Sequence, residues 1–163
     1  MRKLIVLSVM LFSTVTTFAQ ALPGVLSVKD ALTIYKEGFG EAKYKLAELD
    51  YEFFGYDDIS NHWAKNCEYS NDQQKAIKFG KGTSSVVSIP GDRNDVTITV
   101  FNKAAFLKLK GQIVALGYKV TDKWGSSGGN SFEVYSKKGY PNITAADESA
   151  DSEMPYNITI ANE

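Results

Sequence analysis

Apolar residues recur at helical spacing after Ser27 and predict a long amphipathic helix in the first third of the chain. They step alternately by four and three positions, which places them on one stripe of the helix surface. These residues are Val28, Leu32, Tyr35, Phe39, Ala42, Leu46, Leu49 and Phe53. Ser27 suits the N-cap position, and Gly55 suits a left-handed helix end. We therefore expect a helix over residues 28–54, weakened in its middle by Gly38 and Gly40.

A second, shorter helical pattern begins after Asn102, a residue type that caps helix N-termini well. Its apolar residues, three or four positions apart, are Phe106, Leu109, Ile113 and Leu116. Gly117 follows and is expected to end this helix as Gly55 ends the first. The pattern predicts a helix over residues 103–116.

Short segments in which apolar and polar residues alternate predict β-strands between and after the helices. The predicted strands are residues 85–89, 95–101, 118–124, 131–137 and 156–160, with a less regular one at 63–70. The first two flank turn-forming residues, and the next two flank a turn rich in Gly and Ser, so each pair predicts a hairpin. Residues 139–155 are expected to form an acidic loop, which either aids solubility or contacts a partner.

Similar strings recur along the chain at one separation. Gly55-Tyr56 recurs as Gly117-Tyr118, and residues 96–98 (Val-Thr-Ile) recur as residues 158–160 (Ile-Thr-Ile). Each copy reads as a helix, a Gly-Tyr pair and three strands. One helix with three strands buries little apolar surface alone, but two copies can share one sheet and one helical layer.

The predicted fold class is therefore α+β, with two tandem α-β-β-β repeats that form an antiparallel sheet and pack their helices on one face. Repeat 1 would span residues 20–101 and contain the helix at 28–54. Repeat 2 would span residues 102–163 and contain the helix at 103–116.

The first 19 residues have the pattern of a secretory signal peptide. Arg2-Lys3 gives a charged start, residues 4–12 are a nearly continuous apolar run, and Thr17-Phe18-Ala19 is a small-x-small cleavage site. The apolar run is too short to span a bilayer, and no later run approaches the required length. We expect a protein exported to the periplasm or secreted, cleaved near Ala19-Gln20 and without a membrane span afterwards.

Composition argues against several classes of function. The chain carries 18 basic and 19 acidic side chains, so it offers no basic footprint for nucleic acid. Cys67 is the single cysteine and cannot form a disulfide within the chain. It is interpreted either as a small buried apolar residue or as a reactive thiol. One cysteine and one histidine (His62) cannot fill a zinc site, and no motif demands catalysis, so we expect a non-enzyme without a cofactor or metal.

Strand alternation also sorts the two faces of the predicted sheet. The side chains predicted to meet the helices include Val96, Ile98, Val100, Trp124, Phe132, Val134, Ile158 and Ile160. The candidate contact residues on the opposite face are Thr97, Thr99, Phe101, Tyr135 and Thr159. Two interpretations of that face fit: an ordinary solvated face in which Thr simply favours strands, or a recognition surface whose aromatic residues suit protein or glycan contact.

Several strings in the second half resemble a known group of proteins. They run from Asn102 through residues 106–109 (Phe-Leu-Lys-Leu) and 116–120 (Leu-Gly-Tyr-Lys-Val) to residues 134–140 and 156–158. They are similar to small exported proteins of Bacteroidetes with tandem helix-plus-three-strand repeats. That architecture resembles the β-lactamase-inhibitor-protein-like group. The resemblance implies a sheet with helices on one side and a binding role, and it implies no particular functional residue.

We therefore expect an exported, non-catalytic binding protein that recognises a protein partner in the periplasm or at the cell surface. The partner would be a component of the cell envelope or a target enzyme. Two alternatives stay open. One is a structural envelope subunit that assembles through its edge strands, and the other is a hydrolase without a recognisable motif.

Overall fold

The computed structural model describes residues 22, 24–57, 59–67, 69–71, 77–79, 82–150 and 152–162. The expected signal peptide and its cleavage site lie outside these residues. The helices are α1 (Val28–Glu37), α2 (Phe39–Glu48) and α3 (Lys103–Ala115). The strands are β1 (Glu52–Tyr56), β2 (Ser60–Lys65), β3 (Tyr69–Asn71), β4 (Ile77–Phe79), β5 (Ser85–Pro90), β6 (Val96–Val100), β7 (Lys119–Gly125), β8 (Ser131–Ser136), β9 (Asn142–Asp147) and β10 (Tyr156–Ala161). None of the described helices is long and apolar enough to cross a bilayer.

The expected single helix over residues 28–54 is wrong, because the chain forms two helices and a strand there. Gly38 adopts φ +86°, which ends α1, and its N–H donates to the Ile34 carbonyl at 2.7 Å. Only glycine takes this backbone conformation at little cost. The chain turns again at Asp50, which has φ +59°, and continues as β1. Gly55 therefore lies in a strand, beside a register shift, and does not end a helix.

The second predicted helix is confirmed at both ends. The Asn102 side chain accepts a hydrogen bond from the Ala105 N–H at 2.8 Å, as an N-cap should. Gly117 follows α3 with φ +86°, the left-handed conformation expected at a helix C-terminus.

Eight strands form one antiparallel sheet in the order β1-β2-β5-β6-β10-β9-β8-β7, and β3 pairs with β4 separately. Both predicted hairpins, β5–β6 and β7–β8, are confirmed. The expectation of a loop over residues 139–155 is wrong, because β9 lies there between β8 and β10. Alanines at 145 and 146 weaken the β pattern of this strand, since Ala is depleted in strands.

The α+β class and the antiparallel sheet with helices on one face are confirmed. The core lies between the helices and one face of the sheet, with α1 and α3 both packed over the central strands β6 and β10. Its fully buried members include Val28, Leu46, Ile98, Leu109, Ile113, Ile143, Ile158 and Ile160. The Val28 N–H donates to the Gln112 side-chain oxygen at 2.9 Å, which joins the N-terminus of α1 directly to α3.

The opposite face of the sheet, called the open face below, is partly covered at one end. A second cluster of buried residues there contains Ala64, Phe79 and Val86, with Phe54, Cys67, Phe101 and Met154 packed against it. Phe79 comes from β4, so the short β3–β4 ladder contributes to this cover. Cys67 is half-buried beside apolar neighbours.

Candidate functional site

A row of small polar side chains crosses the middle of the open face. Directly paired residues from five adjacent strands make this polar row: His62, Ser88, Thr97, Thr159 and Thr144. The apolar Val134 of β8 pairs with Thr144 at the end of the row. Thr97 and Thr159, both predicted contact residues, pair across β6 and β10, and their hydroxyl oxygens lie 3.1 Å apart. Both are half-buried. Their direct pairing brings these two candidates together on the face predicted for them.

Thr99 and Phe101 are less accessible to a protein partner than Thr97 and Thr159. Thr99 is fully buried, and its hydroxyl donates to the Asn157 side-chain oxygen at 2.6 Å. Asn157 in turn donates to the Glu148 carboxylate at 2.9 Å and to the Met154 carbonyl at 3.0 Å. Phe101 is half-buried in the second cluster. Thr99 therefore offers a partner no accessible surface, and Phe101 offers little.

Tyr135 was predicted on the open face, and that placement is wrong. It pairs with Ile143, belongs to the core under the helices and is 2% exposed. β8 carries apolar residues on both faces, so alternation alone could not orient it. Glu133 accompanies Tyr135 on the helix side, where the ammonium of Lys110 in α3 lies 2.7 Å from its carboxylate. A largely buried carboxylate is tolerated when it is paired in this way.

Trp124 and Phe132 were predicted to face the helices, and they lie on the open face instead. Their rings stack with centroids 5.4 Å apart and planes 12° apart, and Trp124 is 47% exposed. For Trp124 the cause is a bulge in β7 between Val120 and Asp122. Phe132 and Val134 lie on the open face because the faces of β8 were predicted the wrong way round, as for Tyr135, and the register of β8 with β9 is regular. One extra residue reverses the alternation beyond it, so Val120 shares the face of Tyr135 while Trp124 points to the other side. Sequence alternation carries no sign of this bulge.

Glu133 is the centre of a charged network between α3 and the sheet. Its carboxylate contacts the ammonium groups of Lys110 at 2.7 Å and Lys123 at 2.9 Å, and it accepts the Tyr135 hydroxyl at 2.6 Å. Burial acts to raise the pKa of Glu133, but these donors outweigh it and lower the pKa to about 2. Burial, followed by the hydrogen bond to Glu133, raises the pKa of Tyr135.

This network should make stability depend on pH in acid. The folded protein binds a proton on Glu133 more weakly than the unfolded chain, so the contribution is complete above about pH 4.5 and is lost as the pH falls towards 2. The pKa shift of Glu133 corresponds to about 3 kcal/mol of stabilisation. Screening by the solvent around the lysines should reduce this contribution to the free energy of unfolding to about 1–2 kcal/mol. Urea unfolding near neutral pH should show Glu133→Gln less stable by this amount, and the difference should shrink near pH 3. Glu52→Gln is the control, since Glu52 is exposed on β1, and an equal loss there would contradict the prediction.

His62 joins two other polar residues at one end of the polar row. Its ring nitrogens lie 2.8 Å from the Asp57 carboxylate and 2.8 Å from the Ser88 hydroxyl. Burial acts to raise the pKa of Asp57, but backbone N–H groups of Ile59 and Ser60 and the His62 ring outweigh it and lower that pKa. The connectivity is similar to a Ser-His-Asp triad. Ser88, however, pairs with His62 on one side and Thr97 on the other, so it lies within the sheet and not in the turn or helix N-terminus that commonly supplies an oxyanion hole.

The described part of the chain contains no group of three or more His, Cys, Asp or Glu residues that could hold a metal ion. Comparison of the chain with protein-family models, with curated proteins and with solved structures found no match.

Proposed function

We propose that this chain is an exported, non-catalytic binding protein that recognises a protein partner in the periplasm or at the cell surface. The observation that carries the proposal is the exposed Trp124–Phe132 stack beside the polar row on the open face. Aromatic side chains are enriched in protein interfaces and dominate their binding energy. The small hydroxyl-bearing residues of the row leave the sheet accessible and supply hydrogen-bonding groups next to the stack.

The proposed contact surface differs from the set of five residues predicted from sequence. Thr97 and Thr159 stay in it, and Trp124 and Phe132 replace Tyr135 as the aromatic anchors. The partner would be a cell-envelope protein or a target enzyme. Export itself is supported by the signal-peptide pattern of residues 1–19.

We also propose that the fold arose from two tandem repeats, as in the exported Bacteroidetes proteins and the inhibitor-like architecture that the sequence resembles. Support comes from the sheet centre, where Thr97 pairs directly with Thr159, its counterpart in the sequence recurrence. The helices α1 and α3 also occupy similar places over β6 and β10. Each proposed repeat contributes four strands to the large sheet, because β1 in the first and β9 in the second each add one to the three expected.

A capture experiment with two matched variants tests the proposed surface. The mature protein would be immobilised and exposed to envelope extract, and any retained protein would be purified and titrated against each variant. Trp124→Ser should weaken binding about tenfold or more, as expected for an aromatic anchor. Val120→Ser should leave binding unchanged, because Val120 is equally exposed (50%) on the same strand but faces the other side. Equal binding by both variants, or no retained partner, would overturn the proposal.

Self-assembly as a structural subunit is the second candidate function. The observation that favours it is β7, an edge strand whose seven residues are all exposed. Unpaired edge strands are templates for pairing with another chain. In this case the retained protein would be the chain itself, and the Trp124→Ser variant would be retained as well as the wild type.

A further inference from the structure

A pocket of about 380 Å³ opens between α2 and the edge strand β1, away from the open face. Its lining comes from three separate elements and the turn that joins two of them: Phe39, Lys43, Ala47, Tyr51, Phe53 and Trp63. Trp63 and Tyr51 are 4% and 6% exposed and form its base. The rings of Phe39 and Phe53 flank the Trp63 ring with centroids 5.4 Å and 5.3 Å away.

The surface of this pocket is apolar and aromatic, and part of it faces water. Phe53 is 55% exposed on the outermost strand, which pairs with β2 on one side only. An aromatic wall of this kind gains free energy when an apolar group displaces the water against it. The volume lies within the range of small-molecule sites, which are mostly apolar with a few polar groups that fix orientation.

Lys43 is the one charged side chain of the lining. Its ammonium lies 5.1 Å from the centroid of the Phe39 ring, at the exposed rim. No carboxylate of the described residues lies within ion-pair distance of it, whereas Lys45 on the same helix pairs with Glu41 at 3.5 Å. The pocket therefore combines apolar walls with a cation that has no counter-charge in the described part of the protein.

We propose that this pocket binds a small amphiphile with an apolar body and a carboxylate head. The apolar body lies against Phe39, Phe53 and Trp63, and the carboxylate pairs with Lys43. This site lies apart from the surface proposed for the protein partner, and its occupation does not depend on that function.

Fluorescence of Trp63 tests the proposal with octanoate as the probe. The chain has two tryptophans, so the Trp124→Phe background leaves Trp63 as the sole indole emitter. Octanoate should shift its emission in a saturable way, and hexanoate, two methylenes shorter, should bind about 15-fold more weakly, because each buried methylene adds about fourfold. Octan-1-ol, which lacks the charge, should bind more weakly than octanoate by about fivefold.

Three variants then test separately the role of Lys43 in binding the carboxylate and the role of the aromatic wall in binding the apolar body. Lys43→Met should reduce octanoate affinity to that of octan-1-ol and leave octan-1-ol unchanged, while Lys45→Met, with the same change of charge, should leave both unchanged. Phe53→Ser should weaken both probes, and its exposed position allows the fold to be retained, as circular dichroism would verify. Absence of a saturable shift at millimolar octanoate, equal affinity for octanoate and octan-1-ol, or insensitivity to Lys43→Met and Phe53→Ser would overturn the proposal.

Discussion

Replacing Ile98 by alanine should lower the free energy of unfolding by about 2–5 kcal/mol. Ile98 is fully buried on β6, where it pairs with Val87 on one side and Ile158 on the other. Truncation removes buried methyl and methylene groups and leaves a cavity in the middle of the core, where close-packed neighbours relax only partly. Since domains of this size are stable by about 5–15 kcal/mol, one such change would remove a large fraction of the total.

The adjacent residue on the same strand provides the control. Thr97 points to the open face, is half-buried and contacts the Thr159 hydroxyl at 3.1 Å. Thr97→Ala loses at most that hydrogen bond and should cost about 0.5–1.5 kcal/mol. Urea unfolding of the two variants compares the loss of stability at a position on the helix side of the sheet with the loss at a position on the open face. Equal losses would contradict the placement of the core on the helix side of the sheet.

Replacing Tyr51 by phenylalanine should cost about 1–3 kcal/mol, although it removes a single oxygen atom. The Tyr51 hydroxyl accepts a hydrogen bond from the Leu26 N–H at 3.1 Å and donates to the fully buried Ser85 hydroxyl at 2.8 Å. Burial raises the pKa of Tyr51, so the group remains a neutral donor and acceptor at physiological pH. Phenylalanine would leave the Leu26 N–H without an acceptor in a buried site, which is costlier than losing an exposed hydrogen bond.

Tyr44→Phe is the matched control for this change. Tyr44 lies on α2 and is 73% exposed, so its hydroxyl is hydrated and its loss should leave stability unchanged within about 0.5 kcal/mol. Thermal or urea unfolding of the two variants should separate them clearly. If Tyr51→Phe were as stable as the wild type, the hydrogen bonds of the Tyr51 hydroxyl to Leu26 and Ser85 would make no net contribution to the free energy of unfolding.

The parts of the fold that could be predicted from sequence are those fixed by local chemistry. The cap at Asn102 and the left-handed Gly117 mark both ends of α3 because each satisfies backbone groups within a few residues. The orientation of β6 and β10 was also predictable, since Val96, Ile98 and Ile160 alternate cleanly with threonines. In β10 and the first half of β6 the burial pattern and the strand period agree, although Thr99 is buried on the open face.

Prediction failed where tertiary contacts override local pattern. The helical stripe continues through Phe53 by coincidence, and it is packing against Trp63 that accounts for Phe53 in a strand. The bulge in β7 reverses the faces on which the side chains beyond Val120 lie, and no local residue preference predicts it. The pocket was not predictable at all, because Phe39, Phe53 and Trp63 come from different elements and meet only in the folded chain.

The position of β10 has a consequence for the order in which the fold can form. This strand is the last of the described strands in chain order, yet it lies in the interior of the sheet between β6 and β9. During synthesis, β6 and β9 therefore each keep one unpaired edge until residues 156–161 become available. The contacts between β6 and β10 also join residues far apart in sequence, which slows folding because a long loop must close first. The two halves of the sheet are joined only through β10, so a polypeptide that stops short of this strand would leave β6 and β9 unpaired on the edges that β10 covers.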